Sequence, residues 1–283
     1  MLRPADNWIE KTANIFFWLV ASLVLTIFIF IIGDIVLQGY HGFSWDFITS
    51  EPASSGREGG ISTILVSTLL ILAICMTAAI PLGLGTAILL TEFTAKDGFF
   101  SKAIHYSLDV LTGVPSIIFG LFGNAFFCKT LGLGFSLLSG GLTLACMALP
   151  IIIRMTEIAL RAVPDEHRFA GSALAISKTT LLWHLILPAA RPGLVIGLVL
   201  GVGRAIAETA ALIFTSGYVD RMPSSLLDSG RSLSVHIFDL SMNVPGGDQN
   251  AYRATFIMLI LILLINALTN VLTDFWLGKR ILK

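Results

Sequence analysis

Two opposite charges stand four residues apart in one of the most apolar stretches of the chain, GVGRAIAETAALIF at Gly201–Phe214: Arg204 and Glu208. In a continuous helix, positions i and i+4 share a face. Both charges would then lie on a stripe continued by Gly201, Gly197 and Gly193. Small residues at that spacing admit a neighbouring backbone, so this face should meet protein or water. Leu194, Leu198, Val202 and Ile206 form the other side, which suits lipid or apolar packing. A charge buried at mid-membrane costs roughly 2.5–3.5 kcal/mol on insertion scales. A structural ion pair is one use for it, but such pairs are a weak source of stability, since apolar replacements often do as well. Ionisable groups inside a membrane more commonly mark a transport path. A guanidinium keeps its charge and offers a planar fork of two parallel hydrogen bonds, the chemistry that recognises a tetrahedral oxyanion. Glu208 would hold the fork and moderate its charge, because a conduit must bind weakly enough to let go.

The elements around this pair must be membrane helices. The chain has 283 residues, 55% of them apolar and 13% charged, with zero formal net charge and a mean hydropathy of +0.86. Those values predict an all-α integral membrane protein and give no sign of nucleic-acid binding. About 20 apolar residues make one span. Six stretches qualify, at about 15–37, 61–91, 106–128, 132–153, 192–216 and 253–275. Residues 1–14 read as a short N-terminal segment and 15–283 as a single membrane domain, with a polar loop at 154–191. The first apolar run is too long for a signal peptide. Lys and Arg divide twelve against five when the N-terminus is placed inside, with Arg204 in a span, so both termini are expected in the cytoplasm. Cys75, Cys128 and Cys146 lie in apolar stretches and read as packing residues, with no metal-ligand spacing.

Two spans carry breakers. DVLTGVPSIIFGLFGNAFF holds Pro115 and Ser116 among three glycines, and AAIPLGLGTAILL holds Pro81. Proline removes a backbone donor, and broken membrane helices are tolerated where protein or a watery cavity satisfies the freed groups. The density of breakers favours a path-lining role for Pro115 and Ser116. In span two, ordinary enrichment of proline in membrane helices explains Pro81 equally well. In the loop, VPDEHRFAGSALAISKTTLLWHLILP, Pro164 and Asp165 open a short helix running to about Ala175, and Ser177 is a cap for the next. Such a helix is a handle for a soluble partner or an interfacial helix lying on lipid.

These motifs resemble a known family. The loop is similar to the "EAA" loop of ABC-importer permeases, roughly E-A-A-x-x-x-G with I-x-L-P beyond it. Here Phe169 stands for the usual glutamate, followed by Ala170 and Gly171, Ala175 stands for the glycine, and Pro188 closes the pattern. GRAIAETAALIF resembles the GRA-x-GETAPLL signature of phosphate-importer permeases, with Ala207 for Gly and Ala211 for Pro. GVPSIIFGLFG and LPIIIRMTEIALRAVP fit the same proteins, and AETAALIFTSG is closer to their PstA branch than to PstC. The resemblance implies an ABC importer type I permease-like fold with a coupling helix at residues 165–178. It implies that Arg204 meets phosphate, with Glu208 as companion, and puts Thr209, Pro115 and Ser116 along the path. Arg168, Phe169, Ala170, Gly171, Ser172 and Ala175 are implied as the coupling surface for an ATPase. The implied partners are a PstC-like second permease, two PstB-like ATPases and a PstS-like phosphate-binding protein, in a bacterial inner membrane. No cofactor is expected on this chain: nothing matches the phosphate-cradling GxxxxGK[ST] pattern, so ATP would be used by the partner. Two rival readings remain: a permease for another oxyanion such as phosphite or molybdate, and an intramembrane enzyme built on Glu208. The second lacks a nucleophile or histidine at matching depth.

Overall fold

A computed structural model describes residues 6–95 and 98–278. Arg3, Lys96, Lys279, Arg280 and Lys283, which contribute to the charge bias, lie outside the described residues. Helix α1 runs Asp6–Tyr40, followed by the short α2 (Trp45–Thr49) and a two-stranded hairpin, β1 (Pro52–Ala53) and β2 (Glu58–Gly59). Then come α3 (Ser62–Ile88), α4 (Phe99–Gly113), α5 (Ser116–Gly123), α6 (Leu137–Arg161), α7 (Asp165–Ala173), α8 (Lys178–Leu181), α9 (Leu187–Ala207), α10 (Ala210–Ile213), α11 (Leu233–Met242) and α12 (Asp248–Gly278). Wide π-helical turns at Leu89–Phe93, Asn124–Thr130 and Leu182–Ile186 extend α3, extend α5, and join α8 to α9.

Five helices are long and apolar enough to cross a membrane, and there are six where the bent pair Phe99–Gly113 and Ser116–Thr130 is counted as one span, among the described residues. The six stretches expected from the sequence fall on these helices, with different edges. Span four continues to Arg161, because nothing before Pro164 stops the helix. Span five begins at Lys178 rather than near Pro192. The π turn at Leu182–Ile186 carries the helix into Pro188 at its N-terminal turn, where a missing N–H is tolerated. Span five also ends nine residues early, at Ala207. Pro81 lies inside unbroken α3, so the ordinary reading of span two stands.

Helix α6 is the centre of the bundle. Ser136 caps it, accepting from the Ser139 amide at 3.1 Å, and its small residues let α3 and α9 approach closely. The buried core joins Ile71, Cys75 and Ala79 of α3 to Leu144, Ala148 and Ile152 of α6 and to Val202, Ala205 and Ile206 of α9. Helix α1 stands outside this core: none of its most apolar window is buried. It is tied to α12 where Tyr252 donates to Asp34 at 3.1 Å.

Candidate functional site

Helices α6 and α9 run antiparallel in a tight register. Added Cβ atoms at Gly193, Gly197 and Gly201 would stand 2.5, 2.9 and 2.9 Å from Ala159, Met155 and Ile152. The same register brings Arg204 level with Leu149, the midpoint of α6, and hence to mid-depth in the bundle. The glycine stripe does meet protein. Arg204 is not on it: Ala205, 2% exposed, continues the stripe. Arg204 instead shares an exposed face with Ile196, Leu200 and Ala207. The side expected to meet lipid or apolar packing takes the second course, with Leu194, Val202 and Ile206 buried in the core.

The helical pairing of Arg204 with Glu208 is corrected by the structure. Glu208 closes α9 with a near-helical φ of −78° and an extended ψ of 127°, so the chain leaves the helix just after it, and the two side chains form no ion pair. Arg204 makes no hydrogen bond or ion pair with another described residue. No proline or glycine breaks the helix at Glu208; distant groups do. Ser234 Oγ donates to the Glu208 carbonyl at 2.6 Å, and the Thr209 carbonyl accepts from the amides of Leu212 and Ile213 to open α10. Ser232 caps α11 and bonds Ser234 at 2.9 Å, which fixes that donor. The last turn of α9 ends in carbonyls with no helical partner, a place that favours a cation.

The break at Pro115 behaves as its chemistry predicts. Pro115 caps α5, and the chain turns by 103° between Gly113 and Ser116. An added Cβ at Gly120 would stand 2.9 Å from the Ala211 Cα, and one at Gly123 would stand 2.8 Å from Thr215. So α5 and α10 run parallel, with Ser116 one turn before Gly120 at the start of α5. The break at Glu208 stands one turn past Arg204 on α9. The first amides of α5 and the guanidinium are donors, and such donors hold anions.

At the other end of α6, the residues expected to form a coupling surface separate into two groups. Phe169 and Leu174 are each 72% exposed, and Ala170 is exposed beside them. Gly171 is buried on Leu181. Ser172 donates to the Arg168 carbonyl at 2.9 Å. Arg168 turns inward, a placement the sequence did not indicate. Its Nη2 bonds Glu92 Oε1 at 2.7 Å and the Leu160 carbonyl at 3.0 Å, while Nη1 bonds the Val163 carbonyl at 2.9 Å and Asp165 at 3.2 Å. The hydrogen bonds that Arg168 donates to the Glu92 carboxylate push the Arg168 pKa up. Ala175 has φ +52°, which explains a glycine at that place in the family pattern. A non-glycine residue there costs about 1–2 kcal/mol, so Ala175→Gly should stabilise the loop by about 1 kcal/mol; a lower thermal midpoint for the purified variant would contradict this.

A third polar cluster escaped sequence reasoning altogether. Near the far end of the bundle Arg231 pairs with Asp239 at 3.2 Å, donates to the Tyr218 carbonyl at 2.9 Å and lies 3.4 Å from Nδ1 of buried His236. Burial first, and Arg231 second, push the His236 pKa down to about 4, so it stays neutral near pH 7.

Residues 79–282 match the family described as binding-protein-dependent transport system inner membrane component. The chain belongs to this family of membrane permeases. Its relatives narrow the class. The phosphate transport system permease protein PstA of Mycobacterium leprae is 31% identical over 237 residues, spanning 82% of this chain and 74% of that protein. The probable ABC transporter permease protein YqgI of Bacillus subtilis is 29% identical over 97% of this chain and 96% of its own. The fold matches that of a bacterial ABC transporter importing alginate, with a TM-score of 0.65 at 12% identity, over 97% of this chain and 99% of that one.

Proposed function

We propose that this chain is the PstA-type permease subunit of an ATP-driven phosphate importer in a bacterial inner membrane, with both termini cytoplasmic. The observation that carries the reading is Arg204: an exposed, unpaired cation at mid-depth, one turn before the break that ends α9. A charge left bare in that position is uncompensated until something anionic or watery faces it. Phosphate supplies the anion, and its tetrahedral oxygens fit the guanidinium fork. The relatives named as phosphate permeases support the choice of substrate.

The remaining partners follow from the chain's own surfaces. A PstC-like permease faces Arg204 and completes the path. Two PstB-like ATPases hydrolyse ATP and dock on the exposed α7 residues Phe169, Ala170 and Leu174. Phe169 presents an apolar knob in place of the pattern's glutamate. A PstS-like binding protein delivers phosphate to the opposite face, built from the hairpin and α11. The Lys and Arg residues at the α7 end, among them Arg154, Arg161 and Arg191, support placing that end in the cytoplasm. The test is uptake of radiolabelled phosphate by vesicles holding the complete complex, challenged with phosphite, molybdate and sulfate. Unlabelled phosphate should be the strongest competitor. Stronger competition by phosphite or molybdate would reassign the substrate.

A further inference from the structure

Helix α7 meets the membrane helices through few contacts. Gly171 rests on Leu181, and a cleft of about 430 Å³ opens between α7, the end of α3 and the start of α8, lined by Thr91, Glu92, Thr94, Arg168 and Lys178 among others. One side chain spans that cleft. Arg168, on α7, reaches Glu92 on the last π turn of α3 with three N–O contacts of 2.7, 3.3 and 3.4 Å, and bonds the Leu160 carbonyl in the last turn of α6 and the Val163 carbonyl just beyond it. Glu92 is 14% exposed and Arg168 22%, so the pair is largely shielded from water and stronger than a surface ion pair.

Helix α3 then leads to the substrate site from behind. It packs along α6, and near its first turns Thr68 Oγ1 accepts from the Leu233 amide at 2.8 Å. Leu233 lies between Ser232 and Ser234, and Ser234 holds the Glu208 carbonyl at the break beside Arg204. A series of polar contacts and one continuous helix therefore joins the coupling helix to the break, without passing along α9.

We propose that the Arg168–Glu92 pair is a strut through which movement of α7 is carried into α3 and on to the Glu208 break. Arg168 is in this view a positioning residue, not a contact for the ATPase. Without the strut, a push on the exposed face of α7 tilts that helix into the cleft and is lost there. This rests on the proposed function, since it needs an ATPase acting on α7, and it adds the route by which that action reaches the site.

The test changes Glu92, which lies away from the exposed face of α7. Vesicles holding the complete complex are assayed in parallel for ATP hydrolysis and phosphate uptake, with wild type, Glu92→Ala and Glu92→Gln. Glu92→Ala should keep hydrolysis within about twofold while uptake per ATP falls about tenfold, as expected for loss of a charge-assisted hydrogen bond. Glu92→Gln keeps an acceptor, should fall less, and decides the matter if the alanine variant does not assemble. An unchanged ratio of uptake to hydrolysis, including one in which both fall together, overturns the strut. A wild-type complex that hydrolyses ATP but moves no phosphate contradicts the proposed function instead. ATP-dependent labelling of an Ala207→Cys probe then still reads the strut: loss of that dependence in Glu92→Ala supports it, and retention overturns it.

Discussion

Replacing Arg204 by glutamine is expected to abolish phosphate uptake while the subunit still folds and assembles. The side chain is exposed and bonds to no other described residue, so its removal costs the bundle no internal contact. What is lost is the charge at mid-depth. A charge-assisted contact to an anion is worth about 1.5–3 kcal/mol, so uptake should fall on the order of 100-fold. Arg204→Lys keeps the charge without the planar fork and should recover part of the rate. Glu208→Gln should cost far less, because the Glu208 side chain does not pair with Arg204 and its carbonyl, held by Ser234, survives the change. Uptake at the normal rate in Arg204→Gln refutes the assignment, and a larger loss in Glu208→Gln reverses the ranking.

The second large effect is structural. Gly193→Val should prevent α6 and α9 from packing. The new Cβ would stand 2.5 Å from the Ala159 Cβ and 3.1 Å from its Cα. No rotamer relieves a collision with backbone, so the helices must part along an interface built on close approach. Overpacking of this kind costs about 3 kcal/mol or more, and the purified variant should show a markedly lower thermal midpoint or fail to accumulate. Gly85→Val is the control: a Cβ there meets nothing within 4 Å. Equal stability of the two variants would contradict the packing described for α6 and α9.

Sequence reasoning reached as far as local chemistry extends. Pro115 announces the bend between α4 and α5 because proline acts on its own neighbours. Ser177 announces its cap for the same reason, accepting from the Thr180 amide at 3.1 Å. Arg204 stood out because a bare cation in an apolar run is conspicuous in any conformation. The break at Glu208 was illegible: Ala-Glu-Thr-Ala-Ala carries no breaker, and the bond that interrupts the helix comes from Ser234, 26 residues away. The extended ψ at Glu208 ends the helix there, so the face deduced from helical spacing does not run beyond it. The inward turn of Arg168 was illegible for a related reason, since its anchor Glu92 is 76 residues distant. The exposed face of α9 was misjudged because Arg204, one residue short of the glycine repeat, rotates away from it.

The most direct test is the accessibility of Ala207, one turn beyond Arg204 on the same exposed face. In the assembled complex, with the native cysteines replaced, an Ala207→Cys variant is treated with a membrane-impermeant thiol reagent from each side, with and without ATP. If Arg204 lines a watery path, the thiol reacts, the reactive side changes with nucleotide state, and bound phosphate slows the reaction. A thiol inert from both sides in every nucleotide state would put that face against lipid or packed protein and contradict the account.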